Sequence, residues 1–306
     1  MINRKIMQYR EIWLNEIAQL IGVPFVGEDI VINGLNLCNR KTVYSSVVSY
    51  ITSESFIDTV KNNSAIKTLF LTEELAKRVR EDIPRDIALF IVNNPEEEFY
   101  KLHEILCVYG LYQYEENPPK VGHNCKIHPS VVLENNVIIG DNVIIGPNSV
   151  VRSRAIIEND VRIGCCSVIG SEGFQCIRFI NGDTHVATHV GGTHLCVNVS
   201  IVDNVTVGNA LFEGETIIGK NTKIDNHVYV AHNLVIGENN IITACCLLMG
   251  SSVLENNVWL APNAVVMNKK VIHDGGFVGC MSLVTKDVLQ GSIVVGIPAK
   301  EWKKRF

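Results

Sequence analysis

The segment with the strongest local pattern in this sequence contains a histidine. It reads TIIGKNTKIDNHVYVAHNLVIG at positions 216–237, with Asp225 and Asn226 ahead of His232 and with Asn233 directly after it. Imidazole, whose ordinary pKa is about 6.5, is suited to accept a proton at neutral pH. A histidine in a turn is commonly only solvated, so the hypothesis that His232 is a general base depends on the residues around it.

A glycine follows this histidine at a spacing of eighteen residues. The backbone N–H of Gly250 is not covered by a side chain, so it could stabilise the oxyanion that forms when a nucleophile attacks a carbonyl group. Two simpler alternatives stay open, namely that Gly250 is only a turn glycine and that Asp225 only caps a turn.

A six-residue repeat must position these residues. Aliphatic side chains occupy every sixth position in two runs, which are Val121, Ile127, Leu133, Ile139, Ile145, Val151, Ile157, Ile163 and Ile169, and then Ile218, Ile224, Val230, Ile236, Ile242, Leu248, Leu254, Leu260, Val266, Ile272, Val278 and Val284. This period fits neither a helix nor a simple strand, but it fits short strands joined by tight turns. Three hexads form one triangular coil, which predicts three coils over 121–174 and four over 218–289.

Two other regions differ from the repeat. Residues 171–194 form an irregular stretch, and we predict an inserted loop there that overhangs a binding cleft. Leu195, Ile201 and Val207 then restore part of the period. Residues 1–116 lack the repeat, and their patterns predict an α+β domain with a helix from Trp13 to Ile21 that ends at Gly22 and a second helix over 96–108.

The composition limits the classes of function. The 306 residues are 47% hydrophobic and 19% charged, and the 27 basic against 32 acidic residues give a net charge of −5. These values argue against disorder and against nucleic-acid binding. The N-terminus carries charges where a secretory signal would be apolar, and no apolar stretch approaches the roughly 18 residues that span a bilayer. We expect a cytoplasmic protein without stable membrane insertion, whose ten cysteines are reduced.

The 216–237 segment resembles the signature T-x-I-G-x-x-x-K-I-D-N-x-V-x-[IV]-A-H-N-x-x-I-G of the UDP-3-O-acylglucosamine N-acyltransferases, the LpxD-like enzymes of lipid A synthesis, at every fixed position. The segments LNEIAQLIG, VNNP at 92–95 and IGSEGF at 169–174 resemble landmarks of the same family in the same order. The resemblance implies a mainly β protein, with a left-handed parallel β-helix over 117–306 behind a small nucleotide-sugar-binding domain.

The resemblance also implies roles for individual residues. His232 matches the family's general base, and Gly250 matches the glycine whose amide holds the oxyanion. Asp225 and Asn226 match residues that meet the sugar or steady the histidine. The family assembles as a homotrimer in which two subunits build each site.

Further substrate contacts follow from matched positions. Tyr50 and Phe56 lie in SYITSESF, where the family carries S-F-x-x-N-P-K-Y with aromatics that hold uracil, although Ser-Glu-Ser replaces Asn-Pro-Lys. Stacking a base between aromatic rings is physically sound, and core packing is the alternative for both rings. Asn233, Phe174 and His189 complete the predicted substrate-binding set.

Two departures from the family favour acyl-CoA as the donor. Lys269 stands where the family has a second histidine, and with Lys270 and Lys300 it is predicted to meet donor phosphates, a solvated turn being the alternative. The sequence GIPAKEWKKRF at 296–306 is similar to the G-N-P-A-K ending of small hexapeptide acetyltransferases that use acyl-CoA, whereas the lipid A enzymes continue into helices that receive acyl carrier protein.

The function predicted from these patterns is N-acyl transfer from acyl-CoA to a nucleotide-linked amino sugar of the dTDP-4-amino-4,6-dideoxyglucose type, as in an anthrose-type pathway of surface polysaccharide synthesis. No permanent cofactor is expected, and no metal, because His185, His189 and His194 lack regular geometry and a completing carboxylate. Three alternatives remain. They are the lipid A step itself with acyl carrier protein as donor, a γ-carbonic-anhydrase-like zinc enzyme, and a non-catalytic solenoid, whose ranks of exposed threonines this repeat lacks.

Overall fold

The structure is a computed structural model that describes residues 8–9, 11–40, 42, 44–110, 112–113, 116–212 and 214–304. Its contacts divide the chain into two units. The first contains Met1–Tyr114 and Gln175–Thr188, and the second contains Glu115–Phe174 and His189–Phe306. The loop predicted at 171–194 is therefore divided, because its middle part belongs to the first unit.

The first unit combines a largely parallel sheet with helices. The described helices are α1 (Leu14–Ile21), α2 (Ile57–Lys61), α3 (Glu73–Val79) and α4 (Pro95–Val108), with a 3-10 turn at Glu54–Phe56. The main sheet has the spatial order Phe25–Val26, Ala88–Ile91, Ile66–Leu71, Val47–Tyr50 and Gly34–Leu35. Short antiparallel pairs join Gln8–Tyr9 to Tyr112–Gln113, Ile12–Trp13 to Val31–Ile32, and Cys176–Arg178 to Thr184–Val186.

Local signals explain where the predicted helices begin and end. α1 ends at Gly22, whose φ of 69° is left-handed and suits glycine. α4 begins at Pro95, and the Asn94 side chain caps it by accepting the Glu97 N–H. Trp13, which the pattern places on the helix, precedes it and is 54% exposed.

In the second unit the described strands build three parallel sheets, which we call faces A, B and C. Face A contains Lys120–Val121, Ile138–Ile139, Ala155–Ile157, Gly192–Leu195, Glu215–Ile218, Val235–Ile236, Val253–Leu254 and Val271–Ile272. Face B contains Lys126–Ile127, Ile144–Ile145, Arg162–Ile163, Ser200–Ile201, Lys223–Ile224, Ile241–Ile242, Trp259–Leu260, Phe277–Val278, Ser292–Val295 and the antiparallel Lys300–Lys304. Face C contains Val132–Leu133, Val150–Val151, Val168–Ser171, Thr206–Gly208, Tyr229–Val230, Leu247–Leu248, Val265–Val266 and Leu283–Val284.

The repeated aliphatic residues form the core of these coils. Neighbouring strands pair in the register that sets Val121 beside Ile139, one coil later. From Ile139 onward every aliphatic residue of the repeat is buried, whereas Val121 in the first coil is 47% exposed. Burying one such side chain contributes roughly 1.5–3 kcal/mol, so this core stabilises the stack of coils from Ile139 onward. The predicted left-handed parallel β-helix is confirmed as the fold.

The coil that contains Leu195, Ile201 and Val207 is complete, where the sequence predicts only a partial one. Ile157 pairs with Leu195, and Leu195 pairs with Ile218, instead of with the eighteenth residue after each. The chain therefore carries two insertions, and both leave the corner where it passes from face C to face A. We call this the C–A corner. Its turns use left-handed residues, as at Asn233 (φ 59°) and Lys269 (φ 62°).

Within the described residues, none of the helices has the length and apolar character needed to cross a bilayer.

Candidate active site

The C–A corner holds His232 and Gly250. His232 follows the face C strand Tyr229–Val230, and Gly250 follows Leu247–Leu248 one coil later. The N–H of Ser251 donates to the carbonyl oxygen of His232 at 3.0 Å, which ties the two turns together. The imidazole is mostly enclosed, because the residue is 9% exposed.

Asn233 fixes the orientation and the tautomer of the His232 ring. The Leu211 N–H donates to Asn233 Oδ1 at 2.9 Å, which identifies this atom as the oxygen. The same oxygen lies 3.0 Å from His232 Nδ1. Because an amide oxygen only accepts, Nδ1 must carry the ring proton, and Nε2 then carries the lone pair. The basic nitrogen of the ring is thus the one directed away from Asn233.

Thr216 and the shorter insertion hold Asn233 in place. The Asn233 N–H donates to Thr216 Oγ1 at 2.8 Å, and Thr216 is fully buried. Leu211, which supplies the other contact, belongs to the insertion after Gly208. Sequence reasoning missed both roles. The threonine that opens the 216–237 pattern was a signal for the first, whereas no local pattern marked the second.

Gly250 is required by the closeness of His232. A Cβ at this position would lie 2.7 Å from His232 Nε2 and 2.8 Å from Cε1, which is closer than real Cβ atoms approach. The turn itself does not demand glycine, because the left-handed residue is the next one, Ser251 (φ 61°). In the described part of the chain the Gly250 N–H donates to no acceptor. The basic nitrogen of His232 therefore lies beside the backbone of Gly250.

His189 lies against His232. The two ring centroids are 5.2 Å apart with the planes at 72°, and His189 is 3% exposed. The N–H of Val190, the next residue, donates to the Leu211 carbonyl oxygen at 3.0 Å, so the two insertions meet here. A Cβ on Gly173 would overlap His189 Nε2, so that glycine makes room for the ring.

Asp225 and Asn226 occupy a different corner of the coil. They follow the face B strand Lys223–Ile224, whereas His232 follows a face C strand. Asn226 donates to Asp225 Oδ1 from its N and its Nδ2, at 2.7 and 3.0 Å, and its Oδ1 accepts the Asp203 N–H. In this chain they brace a turn, and the steadying of the histidine falls to Asn233.

The aromatic pair predicted to hold a base lies in the first unit. The Tyr50 hydroxyl donates to Glu96 Oε1 at 2.9 Å, and its ring lies 5.1 Å from that of Phe99. Burial raises the pKa of Tyr50 well above its ordinary value, so the phenol stays protonated. Phe56 packs against a cluster of buried apolar residues. Both rings keep part of their surface exposed.

The remaining predicted contacts are dispersed. Phe174 is 71% exposed in the second unit. Lys269 lies one coil beyond Gly250, and its N–H donates to the Gly250 carbonyl oxygen at 3.2 Å, with Lys270 beside it. Lys300 begins the last strand of face B and is therefore separate from the C–A corner.

The three histidines weighed as a metal set are separated. His185 Nε2 pairs with Glu104 Oε1 at 3.0 Å in the first unit. His189 contacts His232, and His194 lies between Glu158 and Glu215. The structure thus does not bring these three imidazoles to one point.

The six-residue repeat and the β-helix that it forms are those of the hexapeptide-repeat transferases. The family described as bacterial transferase hexapeptide (six repeats) matches residues 118–153, 139–171 and 215–250. A UDP-3-O-acylglucosamine N-acyltransferase of Campylobacter lari is 30% identical over 95% of this chain and 95% of its own length. The chain belongs to the UDP-3-O-acylglucosamine N-acyltransferase family, as the resemblance predicted, and is an N-acyltransferase.

Two further similarities accompany this assignment. A UDP-3-O-acylglucosamine N-acyltransferase of Helicobacter pylori is 34% identical over 69% of this chain and 67% of that protein. The solved UDP-N-acetylglucosamine acyltransferase from Campylobacter jejuni is 18% identical, with a TM-score of 0.46, over 61% of this chain and 71% of that chain.

Proposed function

We propose that the protein transfers an acyl group from a thioester to the amine of UDP-3-O-acylglucosamine. The orientation of His232 by Asn233, with the lone pair on Nε2 directed to the side of Gly250, carries the proposal. The relatives are named for this acceptor, and one of them aligns over 95% of the chain. They favour it over the dTDP-4-amino-4,6-dideoxyglucose acceptor predicted from the sequence, which no relative described above supports.

The reaction follows from the two groups at the C–A corner. The amine nitrogen attacks the thioester carbonyl carbon, and His232 Nε2 takes the proton that the amine loses. The oxyanion of the tetrahedral intermediate accepts a hydrogen bond from the Gly250 N–H. The carbon–sulfur bond then breaks, and the imidazolium returns its proton to the sulfur, so that an amide and a thiol leave. The adjacent His189 ring limits the rotation of His232 and lines the acceptor site.

The nucleotide is assigned to the aromatic pair Tyr50 and Phe56 in the first unit. Their partly exposed rings support stacking on a base, and the tie from Tyr50 to Glu96 keeps one ring in a fixed position. Phe174, exposed in the second unit, is a further apolar contact for the acceptor. The remaining surface of Asn233 belongs to the proposed sugar contacts, whereas Asp225 and Asn226, at another corner of the coil, do not.

The donor is assigned by its phosphopantetheine arm, which acyl-CoA and acyl carrier protein share. Lys269 and Lys270 support this assignment, because they follow Gly250 by one coil at the C–A corner and Lys269 is exposed. A lysine ammonium is a suitable point charge for a phosphate. Lys300 lies on the last strand of face B and not at this corner, so it does not support acyl-CoA as the donor.

A homotrimer completes the proposal. Outward apolar side chains remain 37–45% exposed on all three faces, namely Val235 on face A, Ile241 and Trp259 on face B, and Leu247 on face C. Exposed apolar side chains of this kind are typical of surfaces that pack against another subunit. Light scattering of the purified protein should give three times the chain mass of 33.9 kDa, and a monomer at micromolar concentration would contradict the assembly.

The experiment that tests the function is an acceptor and donor matrix. UDP-3-O-acylglucosamine and dTDP-4-amino-4,6-dideoxyglucose are each incubated with hydroxyacyl-CoA and with hydroxyacyl carrier protein, and the products are detected by mass spectrometry. We expect an amide product with the UDP acceptor, and the better donor identifies the source of the pantetheine arm. A UDP acceptor whose amine is already acetylated serves as the control. Product from the dTDP acceptor alone, or thioester hydrolysis without amide, would refute the assignment.

A further inference from the structure

A second cluster of functional groups lies away from the C–A corner, on face A and at its exit. Glu158 follows the strand Ala155–Ile157, and Cys196 follows Gly192–Leu195 in the next coil. The Glu158 N–H donates to the Leu195 carbonyl oxygen at 2.9 Å, so the two positions are neighbours. His194 points outward from the same strand. One ligand atom from each of Glu158, His194 and Cys196 lies within 4.8 Å of the other two.

The imidazole of His194 is held from both sides by carboxylates. Its Nε2 lies 2.9 Å from Glu158 Oε1, and its Nδ1 lies 3.2 Å from Glu215 Oε2. The His194 side chain is 5% exposed, whereas the two carboxylates are 27% and 22% exposed. In metal sites a ligating histidine typically presents its second nitrogen to a carboxylate, which fixes the ring and raises its basicity. Glu215 stands in that relation to His194.

The charges of the cluster also suit a cation. Two carboxylates and a thiol surround one imidazole, so the cluster offers several donor atoms to a cation. None of the ten cysteines, all of which the structure describes, forms a disulfide, so Cys196 retains its thiol. A mixed set of nitrogen, oxygen and sulfur ligands matches Zn²⁺ and similar transition metals, not Mg²⁺ or Ca²⁺.

We propose that Glu158, His194 and Cys196 bind a divalent transition metal of the zinc type, with Glu215 as the positioning residue for the imidazole. Glu158 comes before the long insertion and the other two ligands come after it. A metal here fastens the two coils on either side of the insertion to each other. The site lies outside the C–A corner, and its proposed role is to stabilise the fold.

The test uses the full-length protein after chelator treatment, titrated with Co²⁺ as a spectroscopic probe and then with Zn²⁺. We expect one tightly bound ion per chain, a sulfur-to-cobalt charge-transfer band, displacement by Zn²⁺, and a rise in the unfolding temperature. Cys196→Ser should abolish the band, and Glu215→Gln should weaken binding by about 10- to 100-fold. Cys280→Ser, at an exposed cysteine in another coil, is the matched control and should keep the band.

Any of three results would overturn the proposal. A band that survives in Cys196→Ser, or that is lost in Cys280→Ser, would assign the ion to other thiols. No binding by the folded wild-type protein would leave the cluster as an imidazole–carboxylate clamp. Because Glu215→Gln leaves all three ligands in place, it tests the site even if Cys196→Ser proves unstable.

Discussion

Replacement of Gly250 by alanine tests the geometry of the C–A corner with a single methyl group. The added Cβ would lie 2.7 Å from His232 Nε2 and 2.8 Å from Cε1. Since contacts between such atoms are normally longer than 3.4 Å, the imidazole must move by several tenths of an ångström or rotate. The methyl group therefore displaces the base from its working position, against the restraint of its hydrogen bond to Asn233.

Gly250→Ala should affect kcat much more than it affects the free energy of unfolding. A misplacement of about 1 Å at a reacting group can cost about 10²-fold in rate, so we expect kcat to fall by roughly 10- to 100-fold. The backbone of Gly250 is not left-handed, so alanine fits it and gains about 0.4–1 kcal/mol from the unfolded state. This gain offsets much of the steric cost of the added methyl group, so the free energy of unfolding should change by no more than about 1 kcal/mol.

The assay measures thiol release for kcat and KM, and thermal unfolding for stability. Gly279→Ala is the matched control, because its Cβ would meet a side-chain atom, Val295 Cγ1, at a similar 2.8 Å but far along the coil from the histidine. Wild-type kcat in Gly250→Ala would refute the close approach of the two groups. A loss of activity accompanied by several kcal/mol of instability would instead make Gly250 a folding residue.

Two further predictions concern contacts seen in the structure. Asn233→Ala removes the acceptor that fixes the base tautomer, and we expect kcat to fall at least tenfold, whereas Asn239→Ala, another left-handed turn asparagine (φ 57°), should keep the wild-type rate. Partial burial opposes ionisation of Glu104, but hydrogen bonds from Thr188 and His185 outweigh it and lower its pKa. The stabilising contribution of the ionised Glu104 carboxylate is therefore complete above a pH of about 4.5 and is lost on further acidification. The hydrogen-exchange protection of the Thr188 amide, corrected for intrinsic rates, should follow this pH dependence in the wild type. Glu104→Gln should remove it. Equal protection in both proteins at neutral pH would contradict the role of the carboxylate.

The fold could be predicted because a six-residue period states directly which side chains point inward. Every position from Ile139 to Val284 in the repeat is buried as the spacing requires. The same reasoning failed where the chain departs from the six-residue repeat. Leu195 continues the core after a long insertion, and only the pairing with Ile157 shows that its coil is complete. The helix α3 and the strand Ile66–Leu71 carried no pattern that we recognised.

The site was predictable only in part, for a related reason. His232 and Gly250 lie one coil of eighteen residues apart, so their proximity follows from the repeat. The bond from the Leu211 N–H to Asn233 joins residues whose spacing is set by an insertion, which no period encodes. His189 reaches His232 across an even longer insertion. Asp225 and Asn226, although adjacent in the motif, fall at another corner because the chain turns between face B and face C.

The most direct test of the central claim compares the wild type with His232→Gln in the formation of the amide product from UDP-3-O-acylglucosamine. Glutamine keeps a polar side chain of similar reach but cannot accept the amine proton at neutral pH, and general-base catalysis contributes about 10²- to 10⁴-fold. We expect kcat to fall within that range while the KM for the acceptor and the unfolding temperature change little. A His232→Gln enzyme that forms the amide at the wild-type rate would contradict the account.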